Sequence, residues 1–187
     1  MMIGILAIQG DFEAHRKMLE GLGVAVREVR TAVDLAGVDG VILPGGESTT
    51  QLKFLKEEGL AEALKEFARK GGALFGTCAG AILLAKEVKA PEQESLGLMD
   101  ITVLRNGYGR QLASEVRCGR SQLAPGEMEM VFIRAPIIER VGGGVTVLGE
   151  DRGTPVLVRQ GKLLAATFHP ELTSDPTVHE YFLKMLA

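Results

Sequence analysis

Reactive side chains are scarce in this chain: 187 residues contain two cysteines, Cys78 and Cys118, and three histidines. So few cysteines, and an opening Met-Met-Ile-Gly without the basic start of a secretion signal, lead to the expectation of a reducing, cytoplasmic protein without a disulfide framework. No apolar run reaches the roughly 18 residues a membrane-spanning helix requires; Gln9 already breaks the first one. No block of five or six like charges occurs, and 21 Lys and Arg against 24 Asp and Glu give a net charge of −3. Electrostatics therefore nominate neither nucleic acid nor an anionic membrane, and the expected partner is a small molecule or another protein. Internal repeats and a linker are also missing, so residues 1–187 are expected to form one domain around a single core.

Glycine, by contrast, is abundant: 24 residues, many beside short apolar runs, against roughly 7% in an average chain. Ile3 to Ile8, Gly40 to Leu43 and Gly72 to Phe75 read as buried strands, and Val24 to Val29 alternates apolar and charged residues. Helical patterns follow over a stretch that Asp11 can cap, over Ser48 to Lys56, over Leu60 to Arg69 and over Ala81 to Ala85. Alternating strand and helix with wholly apolar strands implies a doubly wound α/β fold, a mostly parallel sheet with helices on both faces. Ligands in such folds bind beyond the carboxyl ends of the strands. From about Asp100 the chain is richer in β, with short strands expected near 101–104, 115–118, 130–133, 145–148, 155–158 and 163–168. Lys89 to Ser95 reads as a polar loop, and a closing helix follows Asp175-Pro176 with Val178, Phe182 and Met185 on one face.

Gly76-Thr77-Cys78-Ala79-Gly80 has the G-x-nucleophile-x-G form of a strained strand-to-helix turn. A thiol at a helix N-terminus is favoured as thiolate, its reactive form, although a small buried cysteine in a glycine-rich turn also fits. Cys118, in an alternating polar strand, reads as structural or merely exposed. A cysteine nucleophile needs an imidazole. His15 and His179 fall within helices as solvated or packed side chains, which leaves His169 in Phe168-His169-Pro170-Glu171. Extended backbone there would project His169 and Glu171 from one side, letting the carboxylate orient the ring; an exposed strand end is the alternative. Pro44-Gly45-Gly46-Glu47-Ser48 follows a strand at the same sheet edge, so the Gly46 and Ala79 N–H groups are the oxyanion-hole candidates. An ordinary Pro-Gly-Gly turn remains open.

Five segments together resemble the glutaminase subunit of pyridoxal 5′-phosphate synthase, a class I glutamine amidotransferase: Pro44-Gly45-Gly46-Glu47-Ser48-Thr49, Gly76 to Gly80, Arg105-Asn106-Gly107-Tyr108-Gly109-Arg110-Gln111, Phe132-Ile133-Arg134-Ala135-Pro136 and Phe168 to Glu171. The resemblance implies a flavodoxin-like enzyme that hydrolyses L-glutamine through a γ-glutamyl thioester on Cys78, with His169 as general base and acid and Glu171 as orienter. It further implies glutamine contacts at Gly46, Glu47, Ser48, Arg105, Ile133 and Arg134, with no cofactor and no metal. The implied partner is a TIM-barrel synthase subunit that receives the ammonia and whose binding activates the glutaminase. A carboxylate on the substrate suits Arg105 or backbone N–H groups, though Arg105 and Arg134 also fit as solvated side chains. Three other readings stay open: a glutaminase serving another synthase, a non-catalytic docking subunit, and a cysteine hydrolase with a different substrate.

Overall fold

A computed structural model describes residues 1–107 and 114–187. The first half alternates as expected: β1 (Met2–Leu6), α1 (Phe12–Gly21), β2 (Ala25–Val29), β3 (Gly40–Leu43), α2 (Ser48–Glu57), α3 (Leu60–Arg69), β4 (Ala73–Thr77) and α4 (Ala79–Leu84). Then come β5 (Ala85–Lys89), β6 (Met99–Leu104), β7 (Glu115–Ser121), β8 (Glu127–Phe132), β9 (Ile137–Val141), β10 (Thr146–Asp151), β11 (Thr154–Gln160), β12 (Leu163–Ala166) and α5 (Thr177–Lys184).

Among the described residues the main sheet has the order β2-β1-β3-β4-β12-β11-β10-β7-β8, and β5-β6-β9 form a smaller one. The five strands from β2 to β12 are parallel, and the remaining four extend the sheet by antiparallel pairing. Successive side chains of a strand point to opposite faces, and the two cores follow that alternation. Ile3, Ile5, Ile42 and Phe75 pack with Leu19 of α1 and with Val178 and Phe182 of α5. Leu6, Val41, Leu43 and Leu74 pack on the other face with Leu52 and Leu55 of α2, Leu60 and Leu64 of α3, and the apolar α4. Each central strand is thus covered twice, which is why its sequence is apolar without interruption.

Register decides where the site forms. Leu43 lies opposite Gly76 and Ala166 opposite Thr77, so the segments after β3, β4 and β12 leave the sheet side by side. Two features depart from the expected pattern. Ala85, expected to end a helix, begins β5, and neither β5 nor β9 coincides with an expected strand. Both strands belong to the small sheet, where β9 pairs with β6 from far along the chain, Ile101 opposite Val141.

Candidate active site

Cys78 sits between β4 and α4 with φ +49° and ψ −103°, a conformation that costs a non-glycine residue energy and that a nucleophile elbow imposes. The turn closes because its glycines let backbones touch: a Cβ on Gly80 would lie 1.9 Å from the Leu43 carbonyl oxygen. The Cys78 N–H donates to the Ala166 carbonyl at 2.8 Å, tying the elbow to β12, and its Sγ lies 3.9 Å from the Ile133 carbonyl oxygen. Ala79 opens α4, so its N–H belongs to the first turn, where no intrahelical acceptor exists.

His169 follows β12, with its backbone N–H bonded to Val131 O at 2.8 Å. Its backbone does not continue extended into Glu171 as expected. Pro170–Leu172 form a single 3₁₀ turn with proline at its start, and this turn, rather than strand alternation, swings the carboxylate back under the ring. The contact forms nonetheless: His169 Nδ1 lies 2.7 Å from Glu171 Oε1. Donation from Nδ1 to Glu171 leaves Nε2 as the ring nitrogen available to Cys78, which lines the same cleft. Burial alone would lower the His169 pKa; the hydrogen bonds and charges of Cys78 and Glu171 outweigh it and hold the pKa up at about 10. The imidazolium is the favoured form. Burial raises the Glu171 pKa against the opposing bond from His169.

Beside the thiol lies a cleft of about 260 Å³ lined by Gly46, Glu47, Ser48, Cys78, Ala79, Arg105, Ile133, Arg134 and His169. Every residue expected at the site therefore borders it except Glu171, which is buried behind His169. The volume suits a small substrate. The walls differ in what they offer. Glu47 caps α2, accepting from the N–H groups of Thr49 and Thr50 and pairing with Arg105. Burial would raise its pKa, but the Thr49 and Thr50 bonds prevail and bring it down to about 2. Ser48 is the first residue of α2 and donates its hydroxyl to Gln93 Oε1 at 2.9 Å. Ile133 borders the thiol through its carbonyl, and Arg134 follows with an exposed side chain at φ +44°. Tyr108 to Gln111, the rest of the Arg105 segment, lie outside the described residues.

Gln9, Asp11, Ile82 and Asn106 also line the cleft, and the sequence did not single them out as site residues. Gln9 Oε1 accepts from the Glu47 N–H at 2.9 Å, and Gln51 Nε2 donates to Gln9 O and Pro44 O at 3.0 and 3.2 Å. These amides pin the loop that carries Gly46, a service no local motif announces. Asp11 occupies the N-cap position of α1 but makes no side-chain cap bond; its carboxylate instead lies 3.6 Å from His169 Nδ1. Asp11, His169 and Glu171 bring metal-ligand atoms within 4.8 Å of one another, yet the ring nitrogen involved, Nδ1, is already bonded to Glu171. Cys118 is exposed in β7, and His15 and His179 are buried.

A sheet of this order with a cysteine elbow at its centre is the architecture of the flavodoxin-like glutamine amidotransferases. A crystal structure described as a glutamine amidotransferase superposes with a TM-score of 0.93 at 48% identity, covering 98% of each chain. PurLQS from Thermotoga maritima, at TM-score 0.75 and 16% identity, covers 100% of this chain and 98% of its own and shares the fold. The model of the SNO glutamine amidotransferase family matches residues 5–187, and the chain belongs to that family. The pyridoxal 5′-phosphate synthase subunit PdxT of Koribacter versatilis is 56% identical over 186 residues, spanning 100% of this chain and 96% of that protein. The subunit of the same name from Thermus thermophilus is 51% identical over 187 residues, spanning 98% and 97%.

Proposed function

We propose that this chain is the glutaminase of a pyridoxal 5′-phosphate synthase, releasing ammonia from L-glutamine at Cys78 for a synthase partner. One observation carries the reading: a strained cysteine elbow and a buried His169–Glu171 pair meet at one cleft sized for a free amino acid. The relatives' common name supplies the partner.

In the reaction, the Cys78 thiolate attacks the side-chain carboxamide carbon of glutamine. The carbonyl oxygen takes the negative charge and is met by N–H groups of Gly46 and Ala79. His169, protonated at Nε2 and held by Glu171, gives its proton to the departing nitrogen. Ammonia leaves, and the γ-glutamyl group remains on sulfur as a thioester. Water then attacks the thioester while neutral His169 takes its proton, and glutamate leaves as the thiolate returns. Arg105 suits the substrate α-carboxylate, whereas Glu47 and the Ile133 carbonyl suit its α-ammonium.

Ammonia in open water is protonated and lost, so a glutaminase of this kind works against a second protein that receives the product. That protein is a TIM-barrel synthase subunit in this reading, the location is the cytoplasm, and residues 1–187 act as one glutaminase domain. No described helix is long and apolar enough to cross a membrane. The test is ammonia release from glutamine by wild type and Cys78→Ala, each with the synthase subunit. Turnover by wild type and near silence of the variant are expected; ammonia release by Cys78→Ala equal to wild type refutes the nucleophile. Hydrolysis by the chain alone is expected to be slower by up to about 10²–10³, the cost of one misplaced oxyanion donor.

A further inference from the structure

Behind the triad lies a buried polar cluster that the reaction as written does not use. His15, on α1, is fully buried. Its Nε2 lies 3.1 Å from Thr77 Oγ1 and 3.4 Å from Glu171 Oε2; its Nδ1 lies 2.9 Å from Nε2 of His179, on α5. Phe75 closes the cluster, edge-on to both rings at centroid separations of 6.1 and 5.7 Å. Glu171 Oε1 is taken by His169, while Oε2 is buried and has no hydrogen-bond partner among the described residues.

The protons in this cluster can be assigned by elimination. The nitrogens of the two rings that face each other share one hydrogen. If His15 Nδ1 carried it, His15 Nε2 would turn a bare lone pair toward a carboxylate. His179 Nδ1, which is buried without a hydrogen-bond partner, would then hold a stranded N–H. If His179 Nε2 carries it, His15 Nε2 carries an N–H directed at Thr77 and Glu171, and the unpartnered atom is merely an apolar-facing lone pair. The second arrangement avoids a lone-pair repulsion and a buried orphan donor, both unfavourable away from water. Burial, and then the neighbouring His179 and His169, keep His15 well below the ordinary histidine pKa, so it acts as a neutral donor.

We propose that His15 is a positioning residue of the glutaminase site. Its Nε2–H donates to the hydroxyl of Thr77, the residue before the nucleophile, and faces the outer oxygen of Glu171 at 3.4 Å, while His179 fixes its tautomer. A carboxylate hydrogen-bonded at only one oxygen can rotate about its last bond; an N–H dipole facing Oε2 at 3.4 Å favours the orientation that presents Oε1 to His169. The same N–H secures the strand end from which Cys78 turns, so one side chain couples both halves of the thiolate–imidazolium pair. This inference rests on the glutaminase reading for its role in turnover, but not for its effect on the Cys78–His169 pair.

The test compares His15→Leu, which keeps bulk and removes the donor, His15→Gln, whose amide reaches the Nε2 position, and His15→Asn, whose amide reaches only the Nδ1 position. Two readouts apply: glutamine turnover with the synthase subunit, and the pH dependence of iodoacetamide alkylation of Cys78, resolved from Cys118 by peptide mass. His15→Leu and His15→Asn are expected to lose about 10- to 100-fold in kcat with little change in KM, and to move the alkylation midpoint of Cys78 upward. His15→Gln is expected to recover most of both. Wild-type kcat and midpoint in His15→Leu overturn the proposal, as does equal impairment of the Gln and Asn variants, which signals packing alone. Should the Leu variant fail to fold, the Gln–Asn contrast decides. Wild type that releases no ammonia counts against the glutaminase reading, and the alkylation series still decides the role of His15.

Discussion

The sharpest test of the site's geometry is the addition of one methyl group at Gly45. A Cβ there would lie 2.4 Å from His169 Cε1 and 3.1 Å from its Nδ1, whereas carbon atoms prefer about 3.5–4.0 Å. Either the ring or the loop must therefore retreat by about 1 Å. The ring is held by Glu171 at 2.7 Å and the backbone of its residue by Val131 at 2.8 Å; the loop is held by Gln51 through Pro44 O at 3.2 Å. Whichever yields, imidazole and oxyanion donors lose alignment, and a displacement of that size costs about 10²-fold in rate. Overpacking costs about 1–3 kcal/mol in stability, a fall of several degrees in melting temperature at this chain length. Gly21→Ala is the control, since nothing lies within 4 Å of its added Cβ. Ammonia release with the synthase subunit and a thermal melt are measured for both. Wild-type kcat in Gly45→Ala would refute the claim that backbone contact sets the His169 ring.

Other outcomes follow from the same contacts. Glu171→Gln is expected to fold and to lose up to about 10⁴ in kcat, because an amide can hold the ring in the wrong tautomer; steady-state kinetics check this. Arg105→Ala should raise KM for glutamine about tenfold or more with little effect on kcat, from loss of a charged hydrogen bond at the cleft; an unchanged KM removes Arg105 from substrate binding. Stability should fall in acid through the buried histidines. Burial holds His179 at about 4 against an ordinary 6.5, so the unfolded chain binds a proton that the folded one refuses. The contribution of His179 is complete above 6.5 and declines by about 3 kcal/mol as pH falls to 4, and His15 acts in the same direction. Urea midpoints against pH should show that slope, flattened in His179→Gln. His169 has the opposite sign: raised to about 10 from 6.5, it stabilises fully below 6.5 and loses its contribution as pH rises through 10.

The alternation of apolar runs with glycine-rich turns gave β1, β3, β4 and the helices between them, because each strand buried on both faces must be apolar throughout. Boundaries slipped where tertiary pairing took over: the run Leu163 to Phe168 leaves the sheet after Ala166, to send His169 toward the elbow. Strand alternation predicts the His169–Glu171 contact, and the backbone makes it through a 3₁₀ turn instead. Asp11 has the sequence position of a cap but faces His169, its backbone N–H tied to the Gly45 carbonyl.

Residue type and short-range pattern by themselves determined the strand-helix rhythm, the cysteine held in a strained turn, and the segments that would meet it, since these depend on backbone preference and hydrophobic period. Only tertiary structure decided the strand register that sets Leu43, Gly76, Thr77 and Ala166 at one level, the amides that pin the Gly46 loop, and the burial of His15 and His179 behind Glu171. Contacts of that kind join residues as far apart as 164 positions in the chain, where the only link is the sheet that brings them together.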